Sequence, residues 1–583
     1  MKPQDSLPLV DLRPLPVATG ASRLRVLPGT LWRLGLPALA RYARHRLAQG
    51  SALSADAPLP EPPFLHAQSH DGPGIDWFGA VPRSLRSLPA LSVPTSAGFD
   101  IRLVWEAGRL VDLPALAAHD PAAAEGMVRD FVRSNPPFRG PHWACGQEAA
   151  IRLAHLLSAQ QGSMLPGFAA LVALHRTRIE ATLAYAMAQD NNHAISEAAG
   201  LWAAGLALAD DEAARRGRAL LQRAVLRLFA ASGAFSQHSM RYHVVALEMA
   251  AFAQRFALSR SAPGLPDAAC ARLSAGTEWL RRITAANGRA WRVGHDDSSR
   301  LFGDSLDDVR PTLSRARVFS EPPPPLRGRD GEGGGAARPT LPASVPVDPA
   351  PPHPGPPPQG GRESPSVWLD AEGGFASLSL GPLRAFLRLP VQKFRPSQAD
   401  ALHLDVWHGG DCLLGDAGTH LYNDPAGPDL SRTAAHSTIA FDDDDQMPRL
   451  SRFLYGAWLR PTSITATADE IGAAYRDWKG RMHTRSVRLG GDQVQVADAV
   501  GGRFTRACLR WRLPEGAWVL SGQVATGGGL AITIVGAESL RLVRAPAAPR
   551  YGSLASRPVL EAEIVRPGGV SSLIRLAPAR ERA

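Results

Sequence analysis

Three amides, an imidazole and two carboxylates interrupt an otherwise alanine- and leucine-rich stretch at Gln189-Asp190-Asn191-Asn192-His193-Ala194-Ile195-Ser196-Glu197. On a helix His193 and Glu197, four residues apart, share one face, with Asn191 and Asn192 at its amino-terminal edge. Helix formation needs none of these side chains. The plain reading is an N-cap followed by a surface i,i+4 pair. A second polar cluster, Phe235-Ser236-Gln237-His238-Ser239-Met240-Arg241-Tyr242-His243, opens a further helical stretch and resembles the edge of a cleft. The competing reading places Tyr242 in a hydrogen-bonded core with His243 exposed. Gly294–Arg300 is a third polar cluster with the composition of an Asx turn.

Later in the chain, Gln398 and Asp400 would share one face of a strand, and His403 and Asp405 the other. Asp416 and His436 could join either set from neighbouring strands. Histidine and aspartate from several strands are the donor types of a structural zinc site, but without two closely spaced ligands the signal is weak.

These residues need elements to hold them. From about 120 to 316 the apolar spacing is helical, and Glu125–Ser134, Gly146–Gln160, Phe168–Met187, Ala194–Leu208, Asp211–Ala231, Met240–Ala257 and Ala268–Ala286 fit successive antiparallel helices. Helices of similar length with short connections imply a solenoid or an α/α toroid, and no clean repeat supports the solenoid. Leu110–Ala118 also reads as helix. After Val367 the period falls to two, and Phe375–Leu380, Leu383–Leu389, Ala401–Trp407, Thr484–Leu489, Gln493–Ala497 and Ala531–Val535 are expected strands of an antiparallel β-sandwich. The expected order is an N-terminal extension (1–94) with a basic amphipathic helix near Leu31–Leu47, an α/α toroid (95–320), a Pro/Gly-rich connector (321–366) and a β domain (367–583). The connector cannot bury a core. Its ends look like the two arms of a translated inverted repeat, which suggests a neutral insertion.

The 583 residues carry a formal net charge of +10, mostly from arginine spread along the chain. That permits an anionic partner, but there is no dense basic cluster with interleaved aromatics, so nucleic acid is not expected and an acidic polysaccharide fits. The four cysteines, Cys145, Cys270, Cys412 and Cys508, are too far apart for a zinc finger or a disulfide framework. No stretch approaches a transmembrane span, and the first residues show no secretory signal. The expected compartment is the cytoplasm, or the periplasm if translation starts elsewhere.

The ordered blocks NNHAISEA, SMRYH, PSQADALHLDVW, GDAGTHLYN and AAHSTIAFDDDDQ, with HWACGQEAAIR and DIRLVWEAGR before them, resemble the heparinase II/III family of polysaccharide lyases. The likeness spans roughly 95–316 and 367–500. It implies an α/α toroid joined to an antiparallel β domain, with the active site in the cleft between them. It also implies that Asn192 and His193 neutralise a uronate carboxylate, that Tyr242 is the acid/base, and that Asp416 and His436 belong to a structural metal site. Glu197 would orient His193. Asn191, His238, Arg241, His243 and Gln398 would line the substrate. The sequence departs from the family's HGHADALSF, because Pro396 and Gln398 replace both histidines. His403, five residues on, is the substitute for a catalytic or metal-binding imidazole.

The reaction implied is β-elimination at a 4-linked uronate, which needs no cofactor. Neutralising the carboxylate acidifies C5, and a nearby cation, Arg241 or His243, would have to lower the Tyr242 pKa for it to act as base. Two alternatives remain on the same scaffold. One is a glycan-binding or exopolysaccharide-processing protein with a degraded site. The other is a glycoside hydrolase drawing two carboxylates from Glu148, Glu197, Asp296 and Asp297.

Overall fold

A computed structural model describes residues 7–34, 75–90, 99–160, 167–320 and 364–577, apart from 80, 303–304, 393–394, 425 and 452, together with residues 36, 39, 40, 43 and 93. The expected connector lies almost wholly outside the described residues, as does most of the expected helix at Leu31–Leu47.

The helical half contains α1 (Gly20–Leu34), α2 (Ile101–Gly108), α3 (Leu113–His119), α4 (Pro121–Ser134), α5 (Gly146–Ala159), α6 (Phe168–Gln189), α7 (Asn192–Ala207), α8 (Asp211–Leu228), α9 (Met240–Ser259), α10 (Asp267–Arg282) and α11 (Arg310–Ala316). From α2 onward they form an incomplete α/α toroid. Helix α7 is its hub, packed against α5, α6, α8 and α9. Its sequence explains why. Alanine and glycine keep it thin on every side, and the residues from Ala194 to Gly205 are all buried. A Cβ on Gly217 of α8 would lie 2.3 Å from the Trp202 backbone nitrogen, and one on Gly205 would lie 2.3 Å from the Ala214 nitrogen. The two helices therefore touch backbone to backbone.

The β half opens with β1 (Ser366–Asp370), β2 (Phe375–Leu380), β3 (Leu383–Arg388), β4 (Leu404–His408) and β5 (Asp411–Leu414), an antiparallel sheet in chain order. An eight-stranded and a four-stranded sheet follow, with a short hairpin of Arg449–Ser451 and Leu454–Tyr455. A second apolar core fills the space between the sheets, as alternating burial in Met482–Gly490 and Gln493–Gly501 requires.

The two halves share a core rather than a polar seam. Trp291 stacks on Phe386 with centroids 4.9 Å apart, and Phe375 packs edge-on to Trp279 and Trp291. Trp279 also donates its Nε1–H to Asp370 at 3.0 Å. The N-terminal segment docks on the β half. Leu9 bridges Arg544, the Ala18 N–H reaches the Arg449 carbonyl, and Arg33 of α1 donates to the Trp458 carbonyl at 2.9 Å. No helix among the described residues is long and apolar enough to cross a membrane.

Substituting Gly217→Ala inserts a methyl against backbone that cannot yield. Equilibrium urea unfolding should show a loss of about 1–3 kcal/mol, and an unchanged midpoint would contradict the backbone contact of α7 and α8.

Candidate active site

Helix α7 begins at the polar stretch. The Asn191 side chain accepts from the His193 backbone N–H at 3.1 Å, so this residue is the N-cap of α7, and its own amide donates to Gln189. Its side chain, expected to line the substrate, is engaged in capping here. Asn192 is buried, donates one amide N–H to Gln147 Oε1 at 2.9 Å, and has its backbone N–H on Gln237 Oε1 at 2.7 Å. The amide retains a second N–H for another acceptor.

His193 keeps 22% of its side chain exposed, with Nδ1 3.4 Å from Glu197 Oε1 and 3.9 Å from the Cys145 sulfur. Burial works against its imidazolium, but the Cys145 sulfur and the Glu197 carboxylate outweigh that and raise its pKa to about 10. Gly146 makes this approach feasible, because a Cβ there would lie 2.6 Å from the Glu197 carboxyl carbon. Glu197 thus lies within ion-pair distance of the His193 ring.

Tyr242 enters from the first turn of α9, which Ser239 caps by accepting the Tyr242 N–H at 3.1 Å. The Tyr242 hydroxyl donates to Asp297 Oδ2 at 2.8 Å and lies 2.7 Å from the hydroxyl of Tyr422, which belongs to the β half. Arg102 of α2 pairs with Asp297 and bonds Ser299, whose backbone N–H in turn donates to Asp297 Oδ1 at 3.0 Å. Tyr422 is fixed by Asp100, the N-cap of α2, which accepts the Tyr422 N–H at 2.8 Å. One helix cap thus places a β-domain residue against a helical one.

Burial and the Asp297 carboxylate push the Tyr242 pKa well above its ordinary value, and burial with Tyr242 and Asp297 beside it does the same to Tyr422. Both are neutral hydroxyls at physiological pH. The cations expected to lower the Tyr242 pKa are engaged elsewhere. Arg241 binds Asp296 at 3.1 Å and the Leu306 carbonyl at 2.7 Å. His243 faces the helical core, stacked on Trp279 with Nε2 on the Gly276 carbonyl at 2.9 Å, and burial lowers its pKa to about 4. His238 faces Arg388, whose Nη2 lies 2.9 Å from its Nδ1. These three residues were expected at the substrate, and their contacts are structural instead.

The four carboxylates weighed for hydrolysis are engaged as well. Glu148 makes two bonds to Arg109, at 2.6 and 2.8 Å; burial pushes it up, but Arg109, then Arg102 and His193, hold it at about 2. Asp296 is buried but held at about 2 by Arg241 and Arg292. Asp297 holds Tyr242 and Arg102, and Glu197 holds His193. A hydrolase needs a protonated carboxyl as acid, and the environments of Glu148 and Asp296 do not provide one.

A cavity of about 410 Å³ opens beside Tyr422, lined also by His295, Gln398, His420, Phe453 and, from the N-terminal segment, Leu15. Gln398 is buried there with neither amide atom hydrogen-bonded. It lies on a loop rather than a strand, since β4 starts only at Leu404. His295 is kept neutral by burial, which lowers its pKa to about 4 despite the nearby Asp429 and Asp297 carboxylates. Tyr422, His295 and Arg102 were missed by sequence reasoning. Only the last Tyr of the block GDAGTHLYN could have pointed to Tyr422.

His403, Asp416 and His436 each bring a ligand atom within 4.8 Å of the others. His403 therefore joins the expected metal pair rather than Tyr242. The donor chemistry does not suit a metal, however. The Ser437 backbone N–H donates to His403 Nδ1 at 2.9 Å, so the ring proton sits on Nε2, which faces Asp405 Oδ1 at 2.6 Å. A ligating histidine would present a lone pair at Nε2 and donate from Nδ1. His436 Nδ1 lies 2.7 Å from Asp416 Oδ2, and the two form an ordinary buried pair. The arrangement consists of two His–Asp pairs, with the buried His436 Nε2 left without a hydrogen-bond partner.

Residues 362–556 match the family model Heparinase II/III-like, C-terminal, so the β half is a heparinase II/III-like domain. The resemblance read from the motifs is supported over this β half, where the chain is similar to heparinase II/III-like proteins. No curated protein matches the chain in sequence. Among solved structures, a heparinase III is similar at TM-score 0.60 and 14% identity, covering 93% of this chain and 86% of that one. The heparinase III named as the BT4657 gene product is similar at TM-score 0.52 and 14% identity, covering 94% and 92%. At this identity the likeness concerns the fold.

From the proton positions in the His–Asp network, protein purified without added metal should contain well under one equivalent of zinc, and chelation should leave its melting temperature unchanged. Stoichiometric zinc with a lowered melting temperature on chelation would place a metal on His403, Asp416 and His436.

Proposed function

We propose that this chain is a polysaccharide lyase that cleaves a 4-linked, uronate-containing acidic polysaccharide by β-elimination. The observation that carries this reading is the pair of hydroxyls, Tyr242 from the toroid and Tyr422 from the β domain, meeting at 2.7 Å over Asp297. Two neutral phenols on a buried carboxylate form a proton relay, and elimination needs one proton taken and one given.

Asn192, through its second amide N–H, and the His193 imidazolium donate to the uronate carboxylate. Stabilising the enolate-like charge in this way is typically worth about 3–4 kcal/mol per donor. Tyr242 passes its proton to Asp297 as its oxygen takes the C5 proton. The electron pair released forms the C4–C5 double bond and expels O4, which takes the Tyr422 proton. Tyr242 then reprotonates Tyr422 and recovers its own proton from Asp297, so the site returns to its starting state. Gln398 stands where the resemblance leads one to expect a histidine, and its free amide is available to a sugar hydroxyl in the cavity beside Tyr422.

Incubation with uronate polymers should produce the ultraviolet absorbance of a 4,5-unsaturated uronate, with no water added to the product mass. Tyr242→Phe should lower kcat about 10²–10⁴-fold with little change in KM. Full activity in that variant would remove the assignment. Tight glycan binding without unsaturated product would favour the degraded-site alternative, and Pro396 and Gln398 would be its cause.

His193 has a raised pKa, so the imidazolium form persists at neutral pH and is lost only as pH rises through about 10. The kcat/KM profile should therefore hold through neutrality on this group and fall on the alkaline side. In Glu197→Gln the alkaline fall should move to lower pH, because the carboxylate that helps raise the pKa is gone. An unmoved limb would exclude His193 as the charged donor.

A further inference from the structure

A cavity of about 470 Å³ lies between the toroid and the β half, sharing Gly418 with the cavity beside Tyr422. Five arginines line it: Arg289, Arg292, Arg512, Arg550 and Arg557. Two are neutralised, Arg289 by Asp411 and Arg292 by Asp296, each at 3.0 Å. The other three form no ion pair among the described residues.

Arg512 is only 3% exposed. Its Nη2 donates to the Pro546 carbonyl at 2.6 Å, and its Nη1 has no hydrogen-bond partner. A buried guanidinium donor left without an acceptor is costly, and such groups normally meet a carboxylate, a water or a ligand. Burial, opposed by Asp416 but reinforced by the Arg557 and Arg510 cations, lowers the Arg512 pKa to about 10, so it is still charged at neutral pH.

The acidic groups of the same wall do not answer this charge. Asp405 and Asp416 face His403 and His436, at 2.6 and 2.7 Å, and Glu515 turns to Arg544 at 3.4 Å. Asp307 stands at the exposed rim. The apolar wall includes Trp407, Leu513 and Pro514. An aromatic ring with paired guanidinium forks suits a sugar ring that carries a planar or tetrahedral oxyanion, and the volume accommodates one or two such units.

We propose that this cavity is a second, non-catalytic site for an acidic sugar, whose carboxylate or sulfate is received by Arg512 and Arg557, with Arg550 at the mouth. Only the class of ligand rests on the lyase reading. The site itself stands on the unpaired arginines.

The test uses the full chain and calorimetric titration with glucuronic acid, glucosamine 6-sulfate and inorganic sulfate, on wild type, on Arg550→Gln/Arg557→Gln, and on Tyr242→Phe. The expected result is saturable binding of at least one sugar that weakens about tenfold or more in the arginine variant. That binding persists in Tyr242→Phe, and kcat on any cleaved polymer is unchanged in the arginine variant. Preference for glucuronic acid assigns a carboxylate, and preference for the sulfated sugar assigns a sulfate. No sugar binding to wild type overturns the proposal, as does binding that is lost in Tyr242→Phe but kept in the arginine variant. Inorganic sulfate binding as tightly as the sugars and displacing them also overturns it, since the cavity would then be a simple oxyanion site. If no polymer is cleaved and sugar binding still follows the arginines, the lyase reading fails and this proposal survives.

Discussion

Arg102 and Asp297 meet where the carboxylate has no access to solvent, and the geometry of the site follows from that pair. A buried charge left alone costs several kcal/mol, so the carboxylate must be kept in contact with its partners. The same oxygen that meets Arg102, Oδ2, also accepts the Tyr242 hydroxyl, and Tyr242 in turn touches Tyr422. The same carboxylate that draws the Tyr242 proton also keeps that phenol from ionising. On the proposed lyase reading, the base is therefore the phenol and the carboxylate together. The expected arrangement, a tyrosine activated by Arg241 or His243, is not what the fold builds, since both are engaged elsewhere.

Polar precision of this kind requires rigid surroundings. The shared aromatic core of Trp279, Trp291, Phe375 and Phe386 locks the β half onto the toroid, and Asp100 ties Tyr422 to the start of α2. Helix α7, hemmed in by four other helices, cannot shift without clashing with backbone. Asn192 and His193 therefore project from a helix packed on four sides.

Much of the architecture was legible because periodicity is a one-dimensional record of burial. The helix expected over Ala194–Leu208 is Asn192–Ala207, and the strand expected over Phe375–Leu380 is found over the same residues. The expected strand at Ala401–Trp407 begins late, at Leu404, because Ala401 and Leu402 are engaged in a turn on Gln446 and Arg388. Apolar residues buried by a loop look the same as those buried by a strand. The site was legible only where its residues are neighbours in sequence. His193 and Glu197 are four apart on one helix, and their pairing could be read directly. Tyr242 and Tyr422 are separated by 180 residues, and no local pattern announces their contact.

Residue types and spacing by themselves determined the helix-then-sheet order, the polar start of α7 and the presence of a tyrosine at the head of α9. These depend on local periodicity and on side chains that cap or face one another within a turn. Tertiary structure alone decided which charges are engaged. It gave Arg241 to Asp296, His243 to the core, and His403 to Asp405 and the Ser437 backbone, leaving Arg512 without a counter-charge. Electrostatic pairing in a buried site is set by distance in space, and a chain folded from two halves brings together groups that its sequence keeps hundreds of residues apart.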